Sequence, residues 1–275
     1  MKRRSGRAKE IEVGADGSIW VIGTNKMSGG YGIWKRTNGI WKPINSNNKG
    51  DDKRWRGAVR LAVGPEGNAC FVRDNGAIGC FTSDMKINRL KGIGKDIAIG
   101  SDGSTYVLGG KQKTDGGWSV WKLKDNKWSK IPGRSGKRIA VDPKGNPWIV
   151  DENGQIWQHS EDKWTRVKGK ARDIAIGPEG SVVSLGRRKT TGGYRLFKWS
   201  HKANQWTLVG QGANQVSVGP GGRVFYVNSY SRIFWPKEVC PKAEEIQEEE
   251  VYEIPESDLT DSVVRDIGKA MRFGN

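Results

Sequence analysis

Three short stretches of this chain place cationic side chains a few residues ahead of an aromatic ring: Lys26 before Tyr31, Lys111 and Lys113 before Trp118, and Arg187, Arg188 and Lys189 before Tyr194. A Gly-Gly pair directly precedes each ring. The chemistry open to such a set is non-covalent, with charge holding anionic groups and rings stacking on flat groups or cations. A separate constellation, Arg54-Trp55-Arg56, closes the polar stretch that begins at Asn45 and has the form of a partner anchor on a surface loop. The competing reading for every one of these rings is packing, with the hairpin aromatics set against a neighbouring blade and Trp55 folded back on blade one.

Reactive chemistry finds little to work with. The only histidines are His159 and His201, no nucleophile occupies a strand-turn-helix elbow, and no phosphate-binding loop occurs. Catalytic residues, cofactors and a metal site are therefore not expected, and the chain reads as a non-enzyme. Asp51 and Asp52 are adjacent acids without the spacing of a calcium loop.

A repeat dictates the elements that must carry these residues. The phrase Ile11-Glu-Val-Gly-Ala-Asp-Gly17 returns from Leu61, Ile97, Ile139, Ile174 and Val216, each copy ending in a glycine: Gly67, Gly103, Gly145, Gly180 and Gly222. Pro65, Pro143, Pro178 and Pro220 sit where a turn wants a fixed φ, and the glycines where φ is positive. Each phrase is followed by short β-branched or Trp-containing runs separated by turns, as in Trp148-Ile-Val, Gln155-Ile-Trp157 and Lys163 to Val167. Four short antiparallel strands per unit predict a six-bladed β-propeller over 11–240, with blades starting near 11, 61, 97, 139, 174 and 216. The small residues Ala62, Ala98, Ala140, Ala175 and Ser217 suit innermost strands near the axis, and Glu12 breaks that series. Trp34, Trp121 and Trp157 on third strands, and Trp41, Trp128, Trp164 and Trp206 on outer strands, are expected to pack between blades.

The recurring Ile-Ala-Ile-Gly-x-Asp/Glu-Gly phrase, a Trp-containing strand, and Lys127-Trp-Ser-Lys-Ile-Pro-Gly133 resemble the tectonin repeat of slime-mould tectonin, tachylectin-1 and the fish-egg lectins. The resemblance covers roughly residues 10 to 240 and implies an all-β, six-bladed propeller. It also implies either an interaction module or a lectin for sugars or lipopolysaccharide, and carries no individual binding residue across.

Enlarged hairpins occur in blades one, three and five and tight turns in the others, which gives the ring a pseudo-threefold character and sets the basic-aromatic hairpins on one rim. Residues 241–275 hold four cations against ten acids, a charge of −6, so 1–240 carries +23 within the total of +17. Such a body suits an acidic partner, with a tubulin-like acidic protein surface or a large assembly favoured, glycan or lipopolysaccharide as the alternative, and nucleic acid less favoured for want of a recognition motif.

Residues 1–10 read as a basic arm, 251–254 as the strand that completes blade six, and 258–272 as an amphipathic C-terminal helix. Cys70, Cys80 and Cys240, with no apolar leader at the start, favour free thiols and a cytoplasmic setting, cytoskeletal or ciliary assemblies included. Cys70 and Cys80 are close enough in sequence to pair across a hairpin, and no stretch is apolar enough to span a membrane.

Overall fold

The computed structural model describes residues 1–44, 55–113 and 116–236. The chain divides into two units, Met1–Cys240 and Pro241–Asn275, and all of the second lies outside the described residues. The sequence-based expectations for 251–254 and 258–272 fall there.

Six sheets build the first unit, each with four strands in order from the axis outwards, consecutive in the chain in every blade but the sixth. Blade one runs Glu10–Val13, Ile19–Met27, Gly30–Thr37 and Ile40–Pro43, and the short strand Gly57–Ala58 joins its third strand. Blades two to six begin with the inner strands Arg60–Val63, Gly94–Ile99, Arg138–Val141, Asp173–Ile176 and Gln215–Gly219. The six repeat glycines all have positive φ, between 67° and 85°, as the turn between first and second strands requires. The small residues of the inner strands line the central channel, and Glu12 holds the equivalent place in blade one.

Burial is distributed around the ring. The core separates into six apolar clusters, one at each blade interface; that between blades six and one holds Ile11, Trp41, Phe225, Ile233 and Trp235. Outer-strand tryptophans tie each interface from outside: the indole N–H of Trp41, Trp128, Trp164 and Trp206 donates to the carbonyls of Ser5, Lys91, Pro132 and Lys168, all on the preceding blade. A positive-φ glycine follows each acceptor, namely Gly6, Gly92, Gly133 and Gly169, and its bare Cα faces the indole.

Ring closure differs from the sequence-based expectation. Lys2–Arg7 is not a free arm but the outermost strand of blade six, antiparallel to Arg232–Trp235 with Lys2 opposite Trp235 and Arg4 opposite Ile233. The edge assigned to 251–254 is therefore filled by the other end of the chain. The arginines of this strand suit the place because Arg4 stacks on Trp235 at 4.8 Å and donates to the Pro236 carbonyl at 2.9 Å. The thiols also differ from expectation: Cys70 and Cys80 form a disulfide, being directly opposed on the second and third strands of blade two with Cα atoms 3.9 Å apart.

Candidate binding face

Strand direction alternates outwards through each blade, so the hairpins joining second to third strands emerge on one face. The links that deliver the chain to the next inner strand emerge there too. The enlarged hairpins of blades one, three and five therefore share this face. In blades one and five they are extended ladders, with Lys26 paired to Tyr31 and Lys189 to Tyr194 beyond a bulge. In blade three the hairpin is a loop with a turn closed by Gly116 N–H to the Lys113 carbonyl.

The second glycine of each Gly-Gly pair has a packing reason. A side chain at Gly30 or Gly193 would run into the backbone of Ala58 or Ala213, where the link to the next blade passes beneath the hairpin. The hairpins also bind the following blade's tight turn: Asp74 N–H donates to the Gly29 carbonyl and Ser229 N–H to that of Gly192.

The structure reassigns the partners of the hairpin rings. Tyr31, Trp118 and Tyr194 are half-buried, and each is covered by a cation from the start of its own blade: Lys9 at 4.3 Å, Lys95 at 6.0 Å and Arg172 at 4.3 Å. The hairpin cations Lys26, Lys111, Lys113, Arg187, Arg188 and Lys189 are exposed. Arg187 reaches the Asn153 carbonyl at 3.4 Å on blade four. Trp55 lies on blade two, not blade one, with its edge on Phe71 and the Arg73 and Arg89 guanidiniums 4.8 and 4.9 Å from the ring. Arg56 is half-buried beside it, and Arg54 lies outside the described residues.

The opposite face carries the other turns, with Asp16, Glu66, Asp102, Asp142 and Glu179 between first and second strands and Asp84, Asp125, Glu161 and Asp162 between third and fourth. Exposed acids also stand on the hairpin face, Asp74 and Glu152 in the tight turns of blades two and four, and exposed lysines such as Lys86, Lys124, Lys144 and Lys163 on the other, so the hairpin face is distinguished by its clusters of cations and not by a lack of acids.

At the centre of the hairpin face the residues two positions before the small residues of the inner strands, or before Glu12 in blade one, form a ring that the sequence reading missed. In blade order it is Glu10, Arg60, Asp96, Arg138, Asp173 and Gln215 around a cavity of about 80 Å³. Arg60 bridges Glu10 at 3.1 Å and Asp96 at 3.4 Å; Arg138 bridges Asp96 at 3.8 Å and Asp173 at 3.4 Å. Three interfaces are also stitched to the next blade's backbone, where Glu10 accepts the Leu61 N–H, Asp96 that of Ile139 and Gln215 that of Ile11. Burial, only partly offset by Arg60 and Arg138, pushes Glu10 up to about 7. Burial and the Glu10 charge push Glu12 well up, and burial likewise raises Asp173 against the pull of Arg138.

The signal for this ring was present as Lys9-Glu10-Ile11, Lys95-Asp96-Ile97 and Arg172-Asp173-Ile174 in odd blades, against Arg60-Leu61 and Arg138-Ile139 in even ones. The same triplets supply the cations that cover the hairpin rings.

Six blades around a narrow polar channel, four of them pinned by outer tryptophans, define a β-propeller. The tectonin domain profile matches residues 94–259, and the chain belongs to the tectonin family. No curated protein matches it. Among solved structures it is similar to a gluconolactonase from Xanthomonas campestris, at 11% identity over 84% of this chain and 88% of that one, with a TM-score of 0.57. It is also similar to a streptogramin B lyase, at 16% identity over 81% and 76% with a TM-score of 0.54. YCF48 bound to a D1 peptide shares 13% identity over 82% and 78%, with a TM-score of 0.51. These likenesses concern the fold. Among the described residues no helix is long and apolar enough to cross a membrane.

Proposed function

We propose that this protein is a non-enzymatic, intracellular interaction module that holds an acidic partner, such as a tubulin-like protein surface within a larger or cytoskeletal assembly, against its hairpin face. The observation that carries the reading is the set of six exposed cations on three hairpins of one face. The fold gains nothing from this arrangement, because exposed like charges repel and contribute little to stability. A propeller similar in fold, YCF48, is one bound to a D1 peptide.

The test changes Lys26, Lys111, Lys113, Arg187, Arg188 and Lys189 together to Gln and measures binding of a fluorescent glutamate-rich peptide at low and moderate salt. A tenfold or greater loss, with Tm changed by no more than a few degrees, is the expected result. Unchanged affinity removes the hairpins from the function.

One observation favours a second reading. The Cys70–Cys80 disulfide is a feature of oxidising compartments, where a lectin for glycans or lipopolysaccharide would act. Thiol trapping in intact cells separates the two: reduced Cys70 and Cys80 fit the intracellular module, whereas full pairing together with salt-resistant glycan binding fits the lectin.

A further inference from the structure

The channel mouth is close to threefold in its charges, and the departure from threefold is local. Acids from blades one, three and five alternate with arginines from blades two and four, and at the third even position Gln215 stands where the alternation calls for another cation. Glu12 adds a fourth carboxylate on that same side, its oxygens held by neutral donors, Gln215 at 2.9 Å and Ser217 at 2.9 Å. With every group ionised the mouth holds two more negative than positive charges, and the excess lies beside Gln215.

Asp173 shows the consequence atom by atom. Glu10 and Asp96 each use both carboxylate oxygens on an arginine or a backbone N–H. Asp173 is 8% exposed, and its Oδ1 takes both the Arg138 Nε and its own strand's Ile174 N–H. Its Oδ2 has no partner among the described residues, although the side chain lines the cavity. A carboxylate oxygen open to a narrow polar channel is placed to accept a charge-assisted hydrogen bond from a cation there.

We propose that the mouth between Asp173, Glu12 and Gln215 binds one alkyl guanidinium or alkylammonium group, which completes the alternating ring. The cavity of about 80 Å³ admits such a head group. The site is separate from the hairpin reading and does not depend on it. Every charged group facing the cavity, Glu10, Glu12, Asp96, Asp173, Arg60 and Arg138, bears on the pH dependence. Because Glu10, Glu12 and Asp173 are all displaced upwards, uptake of the cation releases protons and affinity rises with pH.

The full-length protein is titrated calorimetrically with n-butylguanidinium chloride at pH 6 and 8.5, with sodium chloride at equal ionic strength as reference. Saturable one-to-one binding is expected, at least tenfold tighter at pH 8.5 and at least tenfold weaker in Asp173→Asn. Gln215→Arg supplies the guanidinium from blade six and abolishes binding of the probe. Where that variant does not fold, Glu12→Gln serves in its place with a tenfold loss. The six-fold hairpin variant should bind the probe within about threefold of wild type or more tightly, so failure of the hairpin reading leaves this one standing. A second arm compares the peptide acetyl-Glu-Arg-Glu-amide with its Gln analogue. Arginine-dependent binding tighter than the butyl probe assigns the group to a protein side chain, and weaker binding assigns it to a diffusible amine. Absence of saturable binding by either probe, or binding that Asp173→Asn leaves unchanged, overturns the proposal.

Discussion

Glu10 makes a 2.7 Å bond with the Leu61 N–H and a 3.1 Å pair with Arg60, yet burial still raises it to about 7 from an ordinary 4.5. The folded state consequently binds this proton more tightly than the unfolded chain. The group's contribution is greatest below about pH 4.5 and is lost as pH rises through about 7, on the order of 3 kcal/mol for a displacement of this size. Glu12 and Asp173 are displaced in the same direction. Thermal melts between pH 4.5 and 8 should show stability falling with pH, and Glu10→Gln should flatten that slope. A wild-type profile that rises across the window would mean that the ring arginines, and not burial, set the titration. The residue scale is also where sequence reading fell shortest. The inward-facing acids and arginines lie two positions from the small residues that gave away the inner strands. Their alternation becomes visible only when six repeats are laid side by side at that position. The cation over the Tyr31 ring was hidden for a related reason: opposition on a ladder puts Lys26 and Tyr31 side by side, whereas the cation over the ring comes from Lys9, distant in sequence and adjacent in the blade.

At the scale of the strand and turn, most of the fold was legible, because every blade repeats the same local constraints. A turn with its glycine, a hairpin and an outer tryptophan each appear several times, and the positive φ of the six turn glycines follows from chemistry local to four residues. The linkage between outer strands was hidden, since the acceptor of each indole lies more than thirty residues earlier. Two glycines isolate its value. Gly17 has φ +83° and open space where a methyl would stand, so Gly17→Ala costs only the backbone strain, about 1 kcal/mol. Gly133 has φ +94°, and a methyl there would stand 3.0 Å from the Trp164 ring, so Gly133→Ala should cost about 1 kcal/mol more by displacing the indole from the Pro132 carbonyl. Urea unfolding of the two variants gives the difference directly; equal losses would show that the indole contact adds nothing.

The whole molecule closes by pairing its first strand with its last described strands, and here a cue in the sequence was passed over. Arg4-Ser-Gly-Arg-Ala-Lys-Glu-Ile11 runs parallel to Val167-Lys-Gly-Lys-Ala-Arg-Asp-Ile174, the end of an outer strand leading into an inner one. Read as a repeat, that match makes residues 2–7 an outer strand whose own blade must be completed from the far end of the ring. Read as composition, the same residues look like a basic arm. Removing residues 1–7 should leave the Arg232–Trp235 edge unpaired, uncover Ile233 and Trp235, which are 0% and 1% exposed, and take away the Ser5 carbonyl that Trp41 uses. An edge strand stripped in this way invites pairing between molecules. The expected outcome is a loss of several kcal/mol with soluble aggregates, seen by urea unfolding and size-exclusion chromatography. Removing 241–275 should change the unfolding free energy by less than about 0.5 kcal/mol, because all six blades reach four strands within the first 236 residues. The pair of truncations discriminates sharply between the two ways of closing the ring. If the C-terminal deletion destabilises and the N-terminal one does not, the closing strand lies at 251–254 after all, and the basic residues at 2–7 return to being an arm available to a partner.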